Sequence, residues 1–560
     1  MASNFLQAKY RGDTVYTLIL KGQHALKAPE AYVSPFTRAP EYSEIVPTPL
    51  ALQNLLKWAQ ENNLPLKLDY RTKQWLEREY ERRAVFEKPR DVSAYFRFDD
   101  LYEHQRQALS FALANISYLG GHLRLLLADD PRLGKSPQAM AIASLVRTNT
   151  GGKGPILILC PKALIAQWQQ YVADWYEHEV DVLIPQGTTS ERGEQIITAV
   201  KEAKKQLVVI TNWELLHWSD ALHEVKWWML IGDEAHKLKS RKSKISMKTA
   251  SLSATHIMLL SATFIENLPS DWFSPLSIIH PVLFSSYWRF VGHFVNFEYD
   301  WGAKADVPVG PKNVHLLKDI VAPYVIQRRS DEVADMPEKV YETYRADLAD
   351  WHRKFYDDVR DSVVIELQDG DAISVTHALT KLIRLRQAAI HPGLIDPALW
   401  DKGPETGKLE VLKEIVNNVV PEDDQILVYS SFVNGARAAA WAIGPDDCVI
   451  YAGDDADEQQ LTAFQRGKKR VMCATPGKGG VGLNLYNANW VFFLDIPWST
   501  IELRQAEERV RAVGKRGPVY ICHLVAKDTI DSQVWRLVQR KTDNLSQAEI
   551  VRRVVAEYKK

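Results

Sequence analysis

The chain has 560 residues, 46% of them hydrophobic and 25% charged, with a formal net charge of -1. That length exceeds what one hydrophobic core supports, so two or three domains are expected, and the composition excludes a disordered or fibrous chain. Near-neutrality excludes a global field that would by itself announce a nucleic-acid partner, although a basic stripe in one cleft would leave the same total.

In chain order, "MASNFLQAKYRGD" has no apolar signal core, and no later run reaches the length of a membrane span. A cytoplasmic protein with no membrane partner is therefore expected. Residues 1–95 read as a small N-terminal segment whose role is not legible. It holds one predicted helix, "TPLALQNLLKWAQENN", with Thr48 as cap and Pro49 at the first helical position.

From Leu101 to about Thr263, the runs "RLLLA", "PILILC", "QLVVIT", "WWMLIGD" and "HIMLLSA" alternate with helical segments. Short buried strands alternating with helices mean a parallel sheet covered on both faces. A second series, "QILVYS", "CVIYA", "RVMCAT", "WVFFLD" and "VYICHLV", begins near Gln425. The stretch between them, about Phe264 to Pro421, is richer in aromatics and helical patterns and reads as helical insertions. The expected architecture is α/β, with two parallel-sheet lobes. Lobe 1 spans 96–325, with a helical insertion after about 264; lobe 2 spans 326–560, with an insertion at about 341–400. Cys160, Cys448, Cys473 and Cys522 form no C-x-x-C pair and read as reduced core thiols.

The first chemistry-bearing stretch is "LLLADDPRLGKSPQAMAIA", Leu125 to Ala143. A Gly-Lys-Ser triplet alone is weak, but this one follows an apolar strand and opens a helix. Backbone N–H groups and the positive helix end would then face a phosphate. In this P-loop reading Gly134 shapes the loop, Lys135 contacts the β and γ phosphates of ATP, and the Ser136 hydroxyl holds Mg2+. The reading requires a later strand ending in an acid, and "WWMLIGDEAH" supplies it. Asp233 would complete the Mg2+ shell and Glu234 would polarise the attacking water. Gly477, Gly479 and Gly482 in "GKGGVG" imitate a dinucleotide fingerprint. Only "LNLYNAN" separates them from the next strand, too little for a crossover helix, so a nicotinamide site is excluded.

With these motifs in place the sequence resembles a Swi/Snf-type, DNA-dependent ATPase of helicase superfamily 2. "LYEHQRQALSFA" resembles the adenine-reading segment, which assigns Gln105 to the base edge and Tyr102 to stacking. "ILILCPKALIAQWQQ" and "VVITNWELL" resemble segments that touch the DNA backbone, and "LLSATFIEN" the segment, Ser261 to Thr263, that couples ATP to DNA. "YVIQRRSDEVADMPEKV" resembles the double-arginine inter-lobe linker; "LIRLRQAAIHPGLI" and "ETGKLEVL" resemble the helical stretch and the opening of lobe 2. "GGVGLNL", "LDIPWS" and "RQAEERVRAVG" resemble its DNA-contacting and arginine-bearing motifs, carrying Gly480, Gly482, Asn484 and Gln505 for coupling or DNA contact, and Arg509 and Arg511 for the nucleotide. The resemblance covers about Leu101 to Val534. It implies two RecA-like lobes that hydrolyse ATP with Mg2+ in the cleft between them and translocate on double-stranded or branched DNA. No obligate protein partner is evident, and the compactness resembles bacterial or bacteriophage members.

Three features depart from that pattern or compete with it. Pro131 and Arg132 stand where the family has methionine and glycine, which the loop tolerates if Arg132 keeps a negative φ. The family's second arginine falls on Ala512. On a regular helix Arg511, two residues from Arg509, would point away from it, so either Arg509 works alone or the helix loosens before Gly514 and lets Arg511 or Arg516 swing in. Competing functions are a DEAH-type RNA helicase and a degenerate ATPase serving as a DNA- or protein-binding scaffold. The best local basic run is "SRKSKISMK", Ser240 to Lys248, readable as a phosphate contact or a solvated loop. Most of the 17 tryptophans, such as Trp227 and Trp228, read as core.

Overall fold

The structure is a computed structural model describing residues 6–11, 17–21, 42–45, 48–64, 66–87, 90–92, 101–262, 269–300, 305–333, 336–368, 375–476, 485–498, 500–539 and 553–556. The chain divides into two compact units, one of residues 1–300 and 305–329, the other of residues 301–304 and 330–560.

The first unit opens with β1 (Leu6–Arg11), β2 (Thr17–Lys21), β3 (Tyr42–Ile45) and β4 (Leu66–Leu68), a small sheet of order β3-β2-β1-β4. Sequence periodicity did not expose this sheet. The predicted helix is present as Pro49–Glu61, and Thr48 accepts from Ala51 N at its start. A second helix, Tyr70–Arg83, capped by Asp69, was not anticipated. Ala51, Leu52, Leu55 and Trp75 share one apolar cluster with Leu126, Leu157 and Leu259, so these helices are part of the first unit's core.

That core is built on β5 (Arg124–Leu127), β6 (Ile156–Cys160), β7 (Val180–Leu183), β8 (Gln206–Asn212), β9 (Trp227–Gly232) and β10 (Ala254–Leu260). The hairpin β11 (Val295–Asp300) and β12 (Ala305–Pro311) and then β13 (Val325–Ile326) follow. The main sheet runs β13-β5-β10-β9-β6-β8-β7, every pair parallel. Alternate residues serve opposite faces: Leu126, Leu157 and Val209 enter one cluster, Leu125, Ile156 and Val208 the other. Burial on both faces is why these strands read as continuous apolar runs.

The second unit adds β14 (Lys339–Ala346), β15 (Gln425–Tyr429), β16 (Cys448–Tyr451), β17 (Val471–Ala474), β18 (Ala488–Phe493) and β19 (Val519–Ala526). They form a parallel sheet of order β14-β19-β18-β15-β17-β16. All five strands expected from the second series are in it. The segment expected to open a helical insertion at about 341 is instead the strand β14; the helices begin at Asp350, as Asp350–Gln368 and Val375–Ile390. Two parallel-sheet α/β lobes with added helices are thus the observed fold. All four cysteines are buried and free, and among the described residues no helix is long and apolar enough to cross a membrane.

Candidate functional site

In parallel sheets ligands collect at the carboxyl ends of strands, where the strand order reverses. β5 leads at that end into Asp129 and the loop 130–134, and the helix Lys135–Thr150 follows with Gly134 as its N-cap, in the left-handed region at φ 74°. That conformation favours glycine, and a Cβ at Gly134 would come within 2.5 Å of Gln105 Nε2, so any other residue would also have to move the Gln105 amide. The same contact puts Gln105 beside the loop. Gln105 is buried and its side chain accepts from Tyr102 N at 3.1 Å, while the Tyr102 ring, 42% exposed, stacks on His104. The two residues assigned to a base therefore flank the phosphate loop.

Lys135 Nζ donates to the carbonyl oxygens of Asp129 (2.8 Å) and Asp130 (3.1 Å). Burial pushes its pKa down, against the pull of Glu234, Asp129, Asp233 and Asp130. Among the described residues its hydrogen bonds go to its own loop.

Arg132 corrects the sequence reading. Its φ is 71°, not negative, so an L-residue occupies the left-handed conformation that glycine would adopt freely. The strain is of order 1–3 kcal/mol.

β9 and β5 flank β10, and the end of β9 carries the acids. Asp233 is buried; its Oδ2 accepts from Trp168 Nε1 at 2.9 Å, and its carbonyl accepts from Trp213 Nε1 at 2.9 Å. Gly232 makes room for this, since a Cβ there would meet the Trp213 ring at 3.0 Å. Burial, then the adjacent Glu234 charge, raise the Asp233 pKa to about 6, opposed by Trp168, Lys135 and the Glu234 N–H. Glu234 sits in the left-handed region at φ 54°, with Oε2 3.1 Å from His236 Nδ1. Among the described residues only five non-glycines have positive φ, and two of them, Arg132 and Glu234, are here; strain of this kind concentrates at functional sites. Ser261, directly after β10, is buried and donates its N–H to Leu127 O at 3.1 Å, which puts it at the same sheet end. Ser136 lies in the first turn of the loop's helix, half-buried.

Sequence reasoning missed a polar floor under this loop. Asp129, fully buried, is held by Arg328: the guanidinium Nε donates to Asp129 Oδ1 at 3.0 Å and Nη2 pairs with Oδ2. Arg328 also donates to Gln138 Oε1 (2.9 Å) and to the His104 carbonyl. Gln138 Nε2 in turn donates to Leu133 O at 2.7 Å. The doubled arginine was visible in sequence, but its partner lies 199 residues earlier.

Thr263, of the first unit, lies outside the described residues, as do Gly480, Gly482 and Asn484 of lobe 2. Gln505 is half-buried on the helix Thr500–Glu507. That helix ends at Glu507, a 3-10 turn covers Glu508–Val510, and Arg511 is extended at φ -95°, ψ 144°, so of the two expected arrangements the loosened one, with the helix ending before Gly514, is formed. Glu508 and Arg511 pair with each other at 2.9 Å. Arg511, expected at the nucleotide, is buried, with Nε donating to Pro337 O (3.0 Å) and Nη1 to Ser330 Oγ (2.9 Å). Lys339 completes the network at 2.8 Å from Glu507 and 2.6 Å from Glu508. Although burial opposes it, those carboxylates hold the Lys339 pKa above its ordinary value. Arg509 lies on the turn, half-buried.

Comparison with known proteins decides the family. The SNF2-related domain family matches residues 74–394, and the helicase conserved C-terminal domain matches residues 407–514. The chain belongs to the SNF2-related family. Relatives include a probable ATP-dependent DNA helicase of Arabidopsis thaliana, 26% identical over 482 residues, with 82% of this chain and 43% of that protein covered. An ISWI chromatin-remodeling complex ATPase of Saccharomyces cerevisiae is 24% identical over 449 residues, covering 76% of this chain and 38% of the relative. The chain thus spans about two fifths of the length of these relatives. A SWI2/SNF2 ATPase core of Sulfolobus solfataricus, solved in complex with double-stranded DNA, is similar over 83% of this chain and 99% of that one, at 21% identity and a TM-score of 0.39. The SNF2-related match does not favour the DEAH-type RNA helicase alternative.

Proposed function

We propose that this SNF2-related chain is a DNA-dependent ATPase that spends ATP hydrolysis on movement along double-stranded or branched DNA. The observation that carries the reading is the convergence of Lys135, Gly134, the buried Asp233 and the half-buried Glu234 at one sheet end, from strands flanking β10. The names of the relatives, an ATP-dependent DNA helicase and a chromatin-remodeling ATPase, support it.

The donor set fits magnesium-ATP: an ammonium, a glycine-shaped helix N-terminus, a hydroxyl and a carboxylate. When bound, magnesium-ATP supplies the phosphoanhydride to be hydrolysed and the cation that neutralises its charge. Lys135 and the N–H groups opening its helix bind the phosphates, Ser136 and Asp233 hold the cation, and Glu234 orients the water. Tyr102 and Gln105 take the base. Trp168 and Trp213 keep Asp233 aimed, and Arg328 fixes the loop floor through Asp129. From lobe 2, Arg509 supplies the stabilising cation; Ser261, Thr263, Gly480, Gly482, Asn484 and Gln505 couple turnover to DNA. The strain at Arg132 and the absence of an arginine at position 512 favour one other reading, a degenerate ATPase kept as a scaffold.

Steady-state ATP hydrolysis with no nucleic acid, duplex DNA, forked DNA and RNA tests both. Stimulation by duplex or forked DNA over RNA is expected; no hydrolysis under any condition gives the scaffold, and RNA-selective stimulation refutes the DNA reading.

A further inference from the structure

The run after the acidic pair, His236 to Lys248, holds six Lys or Arg residues and no Asp or Glu, in a chain whose net charge is -1. Two of the six are neutralised on the first unit's own surface: Lys237 pairs with Glu214 at 3.3 Å and Lys248 with Asp220 at 2.8 Å. Arg241, Lys242 and Lys244 are exposed, and among the described residues none of the three makes an ion pair. They are not loose in solvent. Ser243 caps the helix Lys244–Ala250, accepting from Ser246 N at 3.2 Å, and the Arg241 guanidinium lies 4.2 Å from the centre of the Tyr287 ring.

Tyr287 is itself fixed edge-on against the core residue Phe273, with centroids 5.3 Å apart. Beside it, 5.4 Å from ring to ring, Trp288 is 62% exposed. Through Tyr287 the exposed indole is therefore joined to the Arg241 guanidinium, and Lys242 and Lys244 adjoin Arg241 in sequence. Guanidinium stacked on an aromatic face keeps its donor fork free and pre-oriented for phosphate.

We propose that Arg241, Lys242, Lys244 and Trp288 form a binding surface for an unpaired DNA strand, the cations taking successive phosphates and the indole stacking a base. A duplex offers the same phosphates but keeps its base faces stacked inside, so only an unpaired strand uses the indole as well as the charges. An acidic peptide would use the cations and leave the indole bare. This surface rests on the DNA reading above and deepens it: the branched part of the substrate, rather than the duplex track, is what it grips.

Equilibrium binding of labelled single-stranded, forked and blunt duplex DNA to the full chain tests the proposal, with ATP hydrolysis followed in parallel. Because Trp288 is exposed, Trp288→Ala should fold as the parent does. It should weaken single-strand and forked-DNA binding by about fivefold or more, the loss of one base–aromatic stack, and leave blunt-duplex binding and duplex-stimulated hydrolysis unchanged. Trp288→Phe should restore most of the lost affinity. The combined Arg241→Ala, Lys242→Ala and Lys244→Ala variant should lower the single-strand salt slope by about 2, at about 0.7 per phosphate contact. Parental affinity for single strands in Trp288→Ala, or an equal loss on blunt duplex, overturns the proposal while the DNA reading stands. If the parent binds no DNA and DNA leaves its hydrolysis unchanged, both fall together.

Discussion

Arg509 and Arg511 are two residues apart; the structure holds Arg511 in a buried network and the proposed function gives Arg509 to the nucleotide, so removing each should break a different property. Arg511→Ala deletes a buried guanidinium that donates to Glu508 (2.9 Å), Ser330 Oγ (2.9 Å) and Pro337 O (3.0 Å). The charge-assisted bond contributes about 1.5–3 kcal/mol and each bond to a neutral group about 1 kcal/mol. Lys339 remains 2.6 Å from Glu508, so that carboxylate is not left alone, and the 3–5 kcal/mol of a wholly unpaired buried charge is a ceiling. A loss of about 3 kcal/mol follows, felt where β14 begins. Hydrogen exchange over Lys339–Ala346 should therefore accelerate roughly a hundredfold wherever it proceeds through opening of this unit. Arg509→Ala should leave that exchange unaltered and lower DNA-stimulated turnover by about 10³ or more, the contribution of an arginine finger, whereas Arg511→Ala costs clearly less turnover. If Arg511→Ala leaves exchange unchanged and cuts turnover as deeply as Arg509→Ala, then Arg511 serves the nucleotide and the network has been misread.

At the phosphate loop, Lys135→Ala should abolish hydrolysis, and Glu234→Gln should retain nucleotide binding while stopping turnover; parental hydrolysis by Lys135→Ala would remove the P-loop assignment. With φ at 71°, Arg132→Gly should be more stable than Arg132→Ala by about 1 kcal/mol in urea unfolding, and the reverse order would mean that the loop takes a negative φ after all. The first unit should also lose stability in acid through His256 and His280. Each Nδ1 accepts a backbone N–H, from Leu123 at 3.0 Å and Leu283 at 3.1 Å, and burial lowers each pKa to about 4. At these two residues, with histidines near 6.5 when unfolded, the unfolded chain then binds about two more protons than the folded one between pH 4 and 6.5. Their stabilisation is complete above that window and is lost as the pH falls through it; His256→Gln and His280→Gln should each flatten the slope by about one proton, and an unchanged slope in both would refute the assignment.

What could be read from the sequence divides along one physical line. The ten strands named from apolar runs are buried on both faces, so their burial is written into every residue; β14, "KVYETYRA", pairs only with β19 at the sheet edge and keeps polar residues along its length. The two-residue β13 is too short for any period to appear. The same division runs through the site. Lys135, Asp233 and Glu234 were found because strand-to-loop motifs carry them locally, as was Gly134 from the turn it must make. Arg328 on Asp129 and Arg511 on Ser330 were not, since each role is set by a partner 199 and 181 residues away. At Arg132 a negative φ was expected from local preference, and the loop takes φ 71° instead. At Arg511 the residues left two arrangements open, and its guanidinium turns to partners far along the chain, Ser330 and Pro337. Arg328 and Ser330, two residues apart in the chain, are each tied through a buried side chain to one of these segments, Arg328 to Asp129 before the loop and Ser330 to Arg511 after the turn.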